Sequence, residues 1–180
     1  MKYFNDCYYH IYNRGNNKEN VFFEEENYIY FLNQFKKYVT PSLDVLAYCL
    51  MPNHFHFFVK ITNEQSFDKN IKNFFISYSK SINKKYNRVG SLFQGRFKSK
   101  EIEKESYYTR IITYIHQNPI EAFGIDNLQD YRFSSYTAYL SNNITLFKKE
   151  EMLKWFGGIE GFKNSHKIIE DKTYEVFKTS

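Results

Sequence analysis

Apolar and polar residues alternate over 8–14, which predicts a strand with His10, Tyr12 and Arg14 on one face and Tyr9, Ile11 and Asn13 on the other. Gly15-Asn-Asn-Lys-Glu-Asn20 breaks it as a turn or loop. Over residues 26–39 the period becomes helical, with Ile29, Phe31, Leu32, Phe35, Tyr38 and Val39 recurring until Thr40-Pro41 stops the pattern. Residues 43–50 and 54–61 are apolar, aromatic-rich runs parted by Met51-Pro-Asn53, and they read as a hairpin. A second helix, capped by Ser66 or Asp68, carries Phe67, Ile71, Phe74, Phe75, Tyr78 and Ile82 and ends near Tyr86-Asn87. After Gly90 the chain is extended, and Arg96, Lys98 and Lys100 alternate with Phe97 and Ser99, which sets three cations along one strand face. A third helix, with Ser106 as its cap, turns Tyr107, Ile111, Tyr114 and Asn118 to one side and Tyr108, Ile112 and Ile115 to another, and Pro119 ends it. From Thr145 onward, Leu146, Met152, Leu153, Trp155 and Phe156 form a further helix ending at Gly157-Gly158, followed by residues 162–169 and a polar tail.

The order strand, helix, strand, strand, helix, strand, helix predicts an α+β fold: a ferredoxin-like or RRM-like antiparallel sheet with helices on one face, plus the added third helix. A chain of 180 residues suits one domain, residues 1–140, with a helical appendage over 141–180. Cys7 and Cys49 have no C-x-x-C spacing, which points to packing residues in a reducing compartment. The N-terminal residues carry no apolar leader and no run reaches the roughly 20 apolar residues of a membrane span, so a cytoplasmic protein with no membrane partner is expected.

Charge and aromatic content narrow the partner. A net charge of +5, a pI near 9.0 and 21% aromatic residues favour nucleic acid, because a positive field attracts phosphate and aromatic faces stack unpaired bases. Lys69, Lys72, Lys80, Lys84 and Lys85 make the polar face of the second helix basic, although a solvated face is the commoner fate of such lysines.

The stretch that asks for chemistry is Met51-Pro-Asn-His-Phe-His-Phe-Phe-Val59. His54 and His56 share one strand face with Phe58, while Phe55, Phe57 and Val59 cover the other. Two imidazoles at such positions can bind one divalent cation if a third ligand arrives from elsewhere. Alone, the pair also fits two satisfied histidines at a sheet edge.

Taken with Tyr114-Ile-His-Gln-Asn-Pro119 downstream, the pair resembles the single-tyrosine HUH transposases (IS200-like), specifically the branch called REP-associated tyrosine transposases. Tyr9-His-Ile-Tyr-Asn-Arg-Gly15 resembles that family's first strand, Leu92-Phe-Gln-Gly-Arg-Phe-Lys98 its fourth, and Tyr131-Arg-Phe-Ser-Ser-Tyr136 the segment after its catalytic helix. The resemblance runs from about Tyr8 to Tyr139 and, more loosely, into Trp155-Phe-Gly-Gly158. It implies a metal-dependent single-strand DNA endonuclease and strand transferase working at hairpin or palindromic repeat elements. Tyr114 would attack the scissile phosphate to give a 5′-phosphotyrosine, and His54, His56 and Asn118 would hold Mg²⁺ or Mn²⁺. Related transposases carry glutamine at the Asn118 position, so Gln117 or a water stands as an alternative third ligand. Arg14, Arg96, Lys98 and Lys100 would meet the phosphates of single-stranded or hairpin DNA. His10 and His116 are read as structural or DNA-facing, and His166 as a tail residue. Monomer and homodimer both remain open. Rival functions are a non-catalytic RRM-like single-stranded nucleic-acid-binding module, which leaves His54, His56 and Tyr114 without a task, and an HUH replication-initiator nuclease.

Overall fold

The computed structural model of the protein describes residues 2–141 and 149–167. Four strands, β1 (Tyr8–Arg14), β2 (Leu43–Met51), β3 (His54–Ile61) and β4 (Lys98–Glu101), form an antiparallel sheet in the order β2-β3-β1-β4. With α1 (Glu25–Tyr38) after β1 and α2 (Glu64–Lys85) after β3, this is the βαββαβ arrangement of ferredoxin-like folds. The expected α+β class is the class found.

Period 2 in the strands sorts side chains between two cores. Tyr9, Ile11, Phe55, Phe57, Val59 and Ile61 pack with Phe31 and Phe35 of α1 and Phe67, Phe74 and Tyr78 of α2. The Phe35 and Phe57 rings stack at 4.3 Å with 3° between their planes. The opposite face, with Ala47, Cys49, Met51 and Phe58, is covered by Ile111, Ile112 and Ile115 of α3 (Tyr108–Phe123). Strict alternation along β2 would put Val45 and Ala47 on one face. A bulge between them shifts the register, so Val45 joins the first core and Ala47, Cys49 and Met51 the second.

Three short helices extend this second layer: α4 (Tyr136–Leu140), α5 (Lys149–Trp155) and α6 (Ile159–Ser165). Phe162 stacks on Tyr139 at 4.7 Å, and Trp155 lies 4.9 Å from Tyr108. The expected helix from Thr145 is seen from Lys149, its first residues lying outside the described ones; Gly157 and Gly158 end it at φ 71° and 100°. The expected polar tail also lies outside the described residues.

Several boundaries differ from the sequence expectation. Ile29 is 43% exposed rather than part of the buried stripe of α1. α2 begins at Glu64, capped by Asn63, whose side-chain oxygen accepts from the Ser66 amide at 3.2 Å. α3 is preceded by a 3₁₀ turn over Glu105–Tyr107, and Ser106 does not cap it. Pro119 does not end α3, which runs four residues further to Phe123 and closes at Gly124 with φ 63°. Proline removes one intrahelical donor, and here the packed apolar face outweighs that loss. None of the described helices is long and apolar enough to cross a membrane.

Candidate active site

α3 and the helices behind it cover β2, β3 and the Tyr8 and His10 end of β1, which leaves Tyr12, Arg14, Lys98 and Lys100 accessible on the same face. At that boundary lies a cleft of about 290 Å³, lined by residues that include Tyr12, Arg14, His54, His56, Gln94 and Lys98. The strand register builds it. Arg14 pairs with His54, and Tyr12 lies between His56 and Lys98, so these side chains share one face.

His54 Nδ1 lies 2.6 Å from Asn53 Oδ1, and His56 Nδ1 lies 2.9 Å from His10 Nε2. An N–H on each Nδ1 would put the remaining lone pair of each ring on Nε2, with the His54 ring also bonded to Asn118. Burial pushes the His54 and His56 pKa values below the ordinary imidazole range, and His10 falls to about 3, chiefly through burial with Lys100 adding to it. All are neutral at pH 7, the state in which imidazole can ligate a cation. The His54 and His56 rings stand edge to face at 5.2 Å.

α3 brings Tyr114 over this pair. Its ring meets His56 at 5.7 Å and His10 at 6.2 Å, both edge to face, and Tyr114 is buried at 6% exposure. Burial lifts the phenol to about 12, with Glu121 adding and a hydrogen bond from Asn118 opposing. The i, i+4 spacing puts Asn118 beside it, where Nδ2 donates to the Tyr114 carbonyl at 2.9 Å and a further hydrogen bond reaches His54. Gln117 instead turns inward, its Nε2 donating to the His166 carbonyl at 3.0 Å. Among the described residues no group of three or more His, Cys, Asp or Glu is placed to hold a metal, and the groups here that could meet a cation are two imidazoles and the amide oxygen of Asn118. That donor set fits Mg²⁺ or Mn²⁺.

Of the expected phosphate contacts, Arg14, Lys98 and Lys100 face this side of the sheet. Arg14 Nε donates to Gln94 Oε1, and Lys98 lines the cleft. Arg96 does not join them. β4 begins only at Lys98, after a turn at Gly95 with φ 76°, so Arg96 lies on the far side of that turn, beside α2. The alternation that places 96, 98 and 100 together requires an extended chain that is absent at 96.

His10, Tyr12, Asn53 and Gln94 lie inside the motif stretches and belong to this site, although the sequence assigns none of them a role in it beyond reading His10 as structural or DNA-facing. The parity of β1 does put His10 and Tyr12 on the Arg14 face, but the bond to His56 crosses between strands. His116 is fully buried on the other side of α3, and His166 is no tail residue. His166 Nδ1 donates to the Phe162 carbonyl at 2.7 Å, its Nε2 accepts from His116 Nδ1 at 2.9 Å, and His116 Nε2 accepts from Ser135 Oγ at 2.7 Å. Ser135 Oγ in turn accepts the Tyr48 amide at 2.9 Å. The chain of bonds ties α6 to α3 and β2 with every member satisfied.

No curated protein sequence matches the chain. A solved structure of a REP-associated tyrosine transposase bound to a REP hairpin has the same fold, with a TM-score of 0.65 at 14% sequence identity over 83% of this chain and 93% of that one. The family model described as transposase, IS200-like, matches residues 3–118, which takes in β1 through Asn118 and therefore all the side chains of the cleft. Matched over well more than half its length, the chain belongs to the IS200-like transposase family.

Proposed function

We propose that this transposase-family protein is a metal-dependent single-strand DNA endonuclease and strand transferase that cleaves through Tyr114. The observation that carries the reading is the Tyr114 ring lying edge-on, 5.7 Å from His56, on the helix that also delivers Asn118. His54 and His56 through Nε2, with Asn118, would hold Mg²⁺ or Mn²⁺, which when bound neutralises phosphate charge in the cleft. In the reaction the Tyr114 phenolate oxygen bonds to the scissile phosphorus as the bond from phosphorus to the 3′ oxygen breaks. The phenol proton goes to solvent and the 3′ alkoxide takes one up, leaving a 5′-phosphotyrosine and a free 3′-hydroxyl. The phosphotyrosine retains the energy of the broken bond, so a second 3′-hydroxyl can displace it without ATP. Arg14 and Lys98 flank the cleft on the strand side, where they would hold the backbone of the scissile strand.

A hairpin element fits as target, supported by the hairpin in the related transposase structure. A purely binding module of RRM type needs aromatic rings open on the sheet face. Here Phe58 is fully buried under α3 and Tyr8 packs at a tilt against Tyr108, 4.4 Å between ring centres, which takes those two faces of the platform away.

Tyr114→Phe keeps the ring and the helix and removes one oxygen. Incubated with Mn²⁺ and a hairpin oligonucleotide taken from the chromosomal DNA flanking its gene, labelled 3′ of the cleavage site, the parent protein should yield a denaturation-resistant protein–DNA band. The variant should yield none while binding the same DNA. A band from the phenylalanine variant would show that another residue is the nucleophile.

A further inference from the structure

On the opposite side of the Gln94–Lys98 turn from the cleft lies a larger groove, about 1090 Å³, between α2 and the segment over 90–97. Its rim is basic. Lys69, Lys72 and Lys80 stand on one face of α2, and Arg96 faces them from the turn. All four are exposed and, among the described residues, none forms an ion pair. Their neighbours behave differently: Lys85 pairs with Glu24, and Arg88 with Glu19 at 2.7 Å. At the far end of α2 Lys85 and Arg88 are paired, whereas the four cations around the groove are not, and Asp68 is the lone acid in its lining.

The floor is aromatic. Phe75 and Phe97 stack at 5.6 Å with 12° between their planes, both half-buried, and Ile76 beside them is 43% exposed. Stacked rings beneath unpaired cations offer the two contacts that single-stranded nucleic acid requires: a π-face for a base and positive charge for the backbone. A duplex presents its phosphates to such a rim but keeps its base faces stacked inside.

The groove also adjoins the cleft. Gln94 and Lys98 line the cleft, while Gly95, Arg96 and Phe97 line the groove, so the one turn over 94–98 supplies residues to both. Consecutive Cα atoms lie about 3.8 Å apart, so along the chain each site is one step from the other. We propose that this groove is a second DNA site, which takes the unpaired strand that continues past the scissile phosphate. It rests on the single-strand cleavage reading above and adds where the flanking strand goes.

The test uses oligo(dT), which needs no target sequence. Anisotropy titrations of dT₂₀ are run across salt concentrations with the parent, the groove variant Lys69→Ala/Lys72→Ala/Lys80→Ala and the cleft variant Arg14→Ala/Lys98→Ala. The substituted groove lysines are all exposed, so the fold is kept. Loss of three phosphate contacts should flatten the salt slope of the groove variant by about 2. In the parent, dT₂₀ carrying 5-iodouracil should photocrosslink to the peptides containing Phe75 or Phe97. An unchanged slope in the groove variant, crosslinks confined to the cleft, or equally tight binding of a dT₂₀·dA₂₀ duplex would each overturn the proposal. Those failures leave the Tyr114 adduct assay untouched, and a failed adduct assay leaves this binding measurement readable.

Discussion

His10 offers the sharpest test of how the cleft is held together. Its Nε2 lies 2.9 Å from His56 Nδ1, and both residues are 1% exposed. His10→Leu keeps the volume but removes the acceptor, so the His56 N–H is left buried without it. An orphaned buried donor costs about 1–3 kcal/mol, which a urea titration should show as that much lost stability. The same change frees the His56 ring to tumble or swap tautomer, and losing such an outer partner typically weakens metal binding about 10–100-fold. Calorimetric titration of Mn²⁺ into the apo-protein should therefore give a Kd raised by that factor. His10→Gln supplies an amide oxygen for the same N–H and should restore most of both losses. Metal-free DNA binding should stay at the parental level in both variants. If the leucine variant binds Mn²⁺ as tightly as the parent, the argument that His10 fixes the ligating nitrogen of His56 is refuted, whatever happens to stability.

Other outcomes follow from the same geometry. His54→Ala and His56→Ala should each abolish Mn²⁺-dependent cleavage, and the double variant should be hardly worse than either, since the pair acts as a unit; additive losses in single-turnover rates would count against a shared ion. On the proposal that Tyr114 attacks as phenolate, a pKa lifted to about 12 means that cleavage should rise about tenfold per pH unit between pH 7 and 9, and a flat profile would refute phenolate attack. His10 and His166, depressed to about 3 and 4, bind protons more readily unfolded than folded, so the stability they contribute is complete above pH 6.5 and is lost as pH falls toward those values. Going from pH 6.5 to 5 should cost about 2 kcal/mol for each, measured by urea unfolding. In the cleft, Arg14→Ala and Lys98→Ala should each flatten the salt dependence of single-strand binding by about 0.7, and an unchanged slope would remove that side chain from the DNA surface.

Much of this was legible along the chain because two periods are local. Period 2 put His54, His56 and Phe58 on one face and Phe55, Phe57 and Val59 on the other, and these faces meet different cores. The i, i+4 spacing put Tyr114 and Asn118 together. Alternation misplaces Arg96 because it holds only while the chain stays extended, and Gly95 turns it. Pro119 reads as a stop because the rule is local, whereas α3 continues past it within the layer that α4, α5 and α6 share with it.

The sequence by itself determined that the fold is α+β and, wherever the chain stays regular, which side chains share a face, including the imidazole pair of β3 and the side of α3 with Tyr114 and Asn118. Only the tertiary structure decided that α3 crosses the His56 face, that His10 bonds His56 from the neighbouring strand, and that His116 and His166 form a separate buried pair. The β2 bulge, the β1–β3 register and the closure of α6 are likewise not written in any one segment. Periodicity fixes a direction relative to the local backbone. Partners 46 residues apart for His10 and His56, or 50 for His116 and His166, are chosen by how the layers pack, after those directions are set.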